Sequence, residues 1–158
     1  MNVEKNRVYT LARLTMVAIA CLAVANIAWV LLDKSFDFVA MPALTEIVMM
    51  VEIAIYDASG PLYMMILLGA VIAALLAVYV VCGLRAKKSD KSFTVGFVFY
   101  VVDYVFRLYL ILMDTYPDTG RGNEPVMLAV RALIPTAILV ILIVGKVSRN
   151  KQKQEETV

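Results

Sequence analysis

The sequence predicts an all-α membrane protein: a four-transmembrane-helix bundle, both termini cytoplasmic, with an amphipathic helix on the outer face between spans 1 and 2. Three observations carry this. The chain of 158 residues is 62% hydrophobic and only 18% charged, with a mean hydropathy of +0.82. A soluble domain of this size lacks the polar surface to cover so much apolar mass, whereas a bilayer is itself the solvent for it. Four apolar runs of 19 to 21 residues recur along the chain, the length at which a helix crosses the hydrocarbon core. Outside those runs, Lys and Arg are distributed unevenly between alternate connections.

A basic start with Lys5, Arg7 and Arg13 precedes a charge-free run at 14–32. A secretory signal is the competing reading, but the apolar run continues well past Ala23-Val24-Ala25, so an uncleaved span is expected. Residues 33–42 form a short polar and aromatic connection. Residues 43–59 then carry Glu46, Glu52 and Asp57 in an apolar background. On a helical wheel, Leu44, Ile47, Val48, Met50, Val51 and Ala54 fill one side, and Thr45, Glu46, Glu52, Tyr56 and Asp57 fall on the other. Too short and too acidic to span, this helix is expected along the membrane surface.

Ser59-Gly60-Pro61 resets the chain, with Pro61 suited to a first helical turn. The second span is 62–82, followed by a basic loop at 83–92. The third span is 93–113, and 114–125 is turn-rich and acidic. The fourth span, 126–144, contains Arg131 and Pro135. Residues 145–158 make a polar tail, expected to be disordered beyond the last helix. By size, this is one membrane domain.

Counting Lys and Arg sets the orientation. Eleven lie in the N-terminal segment, the 83–92 loop and the tail, against Lys34 and Arg121 in the other connections. Both termini are therefore expected in the cytoplasm of a multi-pass protein of the plasma membrane, a bacterial inner membrane.

The third span holds the segment Tyr100-Val-Val-Asp103-Tyr104-Val-Phe-Arg107. Asp103 and Arg107 are spaced to share a helical face. Its 13 Leu, Ile, Val and Phe residues favour insertion by roughly 4–8 kcal/mol, and two central charges oppose it by roughly 5–7. Such a helix needs partners. Arg107 and Arg131 lie at similar depth in an antiparallel hairpin, near the level of Asn26, with Asp103 one turn deeper and Tyr100 and Tyr104 flanking it. The expected ligand-binding set is Asp103, Arg107, Arg131, Asn26, Tyr100 and Tyr104. Glu46, Glu52 and Asp57 form the expected lid, with Glu52 or Glu46 pairing with an arginine when the pocket is empty. Pro135-Thr136 is expected to bend the fourth span, and Gly69, Ala70, Ala73, Ala74 and Ala77 make a small-residue stripe on the second.

The chain has no histidine, and its two cysteines, Cys21 and Cys82, sit in different spans. No metal site, catalytic motif or cofactor is signalled, and no enzymatic activity is expected. The expected function is to bind a lipid or anionic amphiphile in an outward-facing Asp/Arg pocket, or to serve as accessory subunit of a membrane complex. The alternative is a homo-oligomeric transporter or channel that uses Asp103 for proton or cation coupling. Expected partners are membrane lipids, a second copy or a larger complex, and not nucleic acid.

Overall fold

A computed structural model describes residues 2–33, 42–58, 60–112 and 124–157. The connections at 34–41 and 113–123, with Lys34, Asp37 and Arg121, lie outside the described residues. The described residues form five helices: α1 (Asn2–Asp33), α2 (Ala43–Asp57), α3 (Leu62–Arg85), α4 (Asp90–Leu112) and α5 (Glu124–Thr157). Four are long and apolar enough to cross a membrane, over Asn6–Ala28, Leu62–Arg85, Asp90–Leu112 and Ala129–Glu155. Only 22–28% of the residues in their apolar windows are buried within the chain. Most of each apolar surface thus faces outward, as a lipid solvent favours and water does not.

Helix α1 is central. Tyr9, Ala12, Met16, Ile19, Ala20 and Ala23 recur every three or four residues and are all buried, so one stripe of α1 meets its neighbours. Small residues let the backbones close in. A Cβ at Gly145 of α5 would stand 2.3 Å from the Cβ of Ala12, and one at Gly83 of α3 would stand 2.9 Å from the carbonyl oxygen of Arg13.

The tail is helical through Thr157, where disorder was expected. Its charges have partners. Arg149 Nε donates to Asp90 Oδ1 at 2.9 Å, Lys153 pairs with the other oxygen of Asp90, and Lys146 bonds Thr94. Arg149 also lies 5.4 Å over the ring of Tyr9. The basic residues that looked like a solvated tail grip the start of α4, where an acidic side chain also suits the helix dipole.

Helix α2 turns its first-turn polar residues into the bundle. Thr45, Glu46 and Met49 are buried, while Val51 and Ala54 are exposed. Its polar stripe faces the bundle because α4 and α5 present arginines there.

Candidate functional site

Tyr100, Asp103, Arg107 and Leu110 form the buried stripe of the C-terminal half of α4, and the first turn of α2 lies against it. Pro42, at the N-cap of α2, offers no side-chain oxygen, and no side chain of its own segment caps the helix. The first amides of a helix nevertheless need acceptors. Asp103 supplies them from α4. The Ala43 amide donates to its Oδ2 at 3.0 Å and the Leu44 amide to its Oδ1 at 2.9 Å. A carboxylate here also meets the positive end of the helix dipole. One turn along α4, Arg107 Nη1 donates to Glu46 Oε2 at 2.5 Å, and those side chains are 2% and 0% exposed. Two residues four apart on α4 thus clamp one turn of α2.

The tyrosines fasten α4 to α5 instead. Tyr100 donates to the carbonyl of Pro135 at 2.9 Å. The hydroxyls of Tyr104 and Thr136 are 2.9 Å apart. Thr136 gives its single proton to the Ala132 carbonyl at 2.7 Å, so Tyr104 is the donor between them. The carbonyl that Pro135 deprives of an amide is that of Arg131, one residue from the carbonyl Thr136 satisfies.

Arg131 is also buried and close enough to act on Glu46. Burial pushes the Glu46 carboxyl up to about 7, opposed first by Arg107 and then by Arg131. Among the described residues, Glu46 Oε1 and Thr45 Oγ1 are buried without a hydrogen bond. The space left beside Asp103 and Arg107 is a cavity of about 10 Å3, bounded by Ile19, Pro42, Tyr100 and Pro135. That is room for about one water molecule. Glu46 is itself an anion at Arg107.

A far larger cavity, about 520 Å3, opens between α1, α2 and α3. Ile27, Met49, Ile53, Met65 and Ile72 make its walls, with Glu52 and Tyr56 as its polar lining. Gly69 contributes an opening: a Cβ there would meet nothing within 4 Å. Glu52 is partly buried, which raises its carboxyl pKa. Among the described residues no cation pairs with it.

The structure therefore divides the expected set. Asp103, Arg107, Arg131 and Glu46 come together, and Tyr100 and Tyr104 lie on the adjoining α4–α5 seam. Asn26 does not join them; its amide bonds the Leu22 carbonyl of its own helix at 3.0 Å. Glu52 belongs to the other cavity. Asp57 ends α2, but its side chain lies outside the described residues. Sequence reasoning missed Pro42 and the two amides that Asp103 accepts, although a helix start without Ser, Thr, Asp or Asn was a usable signal. It placed Tyr56 on the polar side of the wheel and Gly69 in a small-residue stripe, but assigned neither to a cavity. No grouping of His, Cys, Asp and Glu among the described residues could hold a metal.

No family model, curated protein or solved structure matches the chain. Fold and site together define a class: a multi-pass helical membrane protein with a buried polar clamp and a separate apolar groove.

Proposed function

We propose that this protein is a small multi-pass protein of a bacterial inner membrane, with both termini cytoplasmic, that holds the apolar chain of an amphiphile in the α1–α2–α3 groove. The observation that carries this is the difference in room: about 520 Å3 in the groove against about 10 Å3 beside Asp103 and Arg107. The larger volume falls within the range of small-molecule sites, and its apolar walls with few polar groups match their usual lining. The uneven distribution of Lys and Arg supports the orientation, and it puts the groove in the outer half of the membrane. The outward apolar face of α2, with Val51 and Ala54, supports contact of this helix with lipid.

On this reading Asp103 and Arg107 are positioning residues that hold α2 as the wall of the groove. Asp103 as a coupling site for transport is less favoured, because both of its oxygens are engaged by backbone amides. The test is retention of an amphiphile through purification, read by native mass spectrometry. Wild type should carry a bound amphiphile and Gly69→Leu, which fills the opening, should carry less. Equal occupancy in the two proteins would remove the basis for the proposal.

A further inference from the structure

Resting on the reading of the groove as an amphiphile site, we infer that it selects a single-chain amphiphile with an ammonium head, held between the Glu52 carboxylate and the Tyr56 ring. The charges on the two sides of α2 decide the sign. The buried arginines of the interior face Glu46 and Asp103, so they do not serve this groove. Among the described residues the groove is lined by one carboxylic acid, Glu52, and its remaining polar lining is Tyr56. A half-buried carboxylate without a cation is a poor neighbour for a fatty acid or a sulfate, because like charges in a low-dielectric site repel. It is a good neighbour for an ammonium.

Tyr56 adds a second, independent preference for a cation. It is 67% exposed and lines the same cavity, so its ring can present a face to a head group at the mouth. Quaternary and primary ammonium groups are drawn to such faces, more strongly where water is excluded. The chain of the ligand would follow Ile27, Met49, Ile53 and Ile72 toward Gly69. In a membrane the chain itself gains little by moving from lipid to protein, since both are apolar. Selection therefore falls on the head. The volume, typical of one drug-sized ligand, suits one chain rather than the two of a phospholipid.

The experiment uses the full chain in phosphatidylglycerol nanodiscs and chain-matched probes: dodecyltrimethylammonium, dodecyl maltoside and dodecyl sulfate. Binding to wild type is measured against Gly69→Leu, Glu52→Gln and Tyr56→Leu. The expected result is that wild type binds the ammonium probe roughly tenfold more tightly than the maltoside, equivalent to about 1.4 kcal/mol. Glu52→Gln should abolish that preference, bringing the ammonium probe to the affinity of the maltoside, and Tyr56→Leu should reduce it. Gly69→Leu should weaken all three probes alike, and its helical circular dichroism should match wild type. If all heads bind wild type equally but Gly69→Leu still blocks them, ammonium selection is overturned and the groove reading stands. If Gly69→Leu and wild type bind every probe alike, the groove reading itself is overturned. Retention of phosphatidylethanolamine in preference to the single-chain probe, from discs that contain both, would overturn the single-chain assignment.

Discussion

Replacing Asp103 by Asn tests whether the intramembrane acid exists to hold α2. The amide keeps one carbonyl oxygen for one of the two α2 amides. Its NH2 group then faces the other amide, donor against donor. The change removes one charge-assisted hydrogen bond, worth about 1.5–3 kcal/mol. It also removes a charge–dipole interaction worth about 0.3–1 kcal/mol. The expected loss is therefore about 2–4 kcal/mol, which corresponds to roughly 30- to 800-fold in the opening equilibrium of α2. The loss should be local, since α2 is a short element held at its N-terminal turn while the spans pack on α1. Hydrogen exchange by mass spectrometry in nanodiscs reads this directly. Peptides covering 43–58 should exchange faster by that factor, and peptides in 66–82 should keep wild-type protection. Unchanged exchange in α2, or an equal rise across α3 and α5, would refute the clamp.

Three further outcomes follow from the same contacts. Glu46→Leu should destabilise the protein by about 1.5–3 kcal/mol because it removes a buried charge-assisted hydrogen bond to Arg107, as read by denaturant unfolding in detergent. Gly145→Ala places a methyl group 2.3 Å from the Cβ of Ala12 and should cost about 1–3 kcal/mol, while Ala12→Gly in the same chain should relieve it, checked by thermal melting. Asp90→Asn should cost under about 1 kcal/mol, because the pairs with Arg149 and Lys153 are partly exposed and screened. Its signature should be faster exchange in 146–155 alone.

The spans were legible because they rest on composition and length, which a bilayer constrains tightly. The convergence of Arg107 and Arg131 near Asp103 was legible from depth, since charges in a hairpin of known register have few places to go. The orientation of α2 was legible in part. That Glu46 or Glu52 would pair with an arginine was expected, but a wheel shows two faces and not which one meets the protein. The interior holds Arg107 and Arg131, so Glu46 points inward. The helical tail escaped for a related reason. Lys146, Arg149 and Lys153 look like solvated charge in one dimension, and only the fold brings Thr94 and Asp90 to them. Asn26 was expected beside the arginines and instead bonds its own helix, because depth counting carries no information about which way a helix face turns.

The two carboxylates of α2 now separate by environment. Glu46 and Glu52 lie six residues apart, about 9 Å along the axis and about 120° around it. Glu46 meets Arg107 and Arg131, and with Asp103 at the helix start it fixes the N-terminal turn by directional bonds. Glu52 lies beyond the reach of that network, where the helix rests on apolar side chains of α1 and α3. Apolar contacts are non-directional and tolerate small shifts, whereas the clamp does not. A helix held by directional bonds at its first turn and by apolar packing beyond it tolerates small shifts there without breaking its anchor. The groove lies at that softer end, so the intramembrane charges of α4 set the position of a wall they do not themselves line.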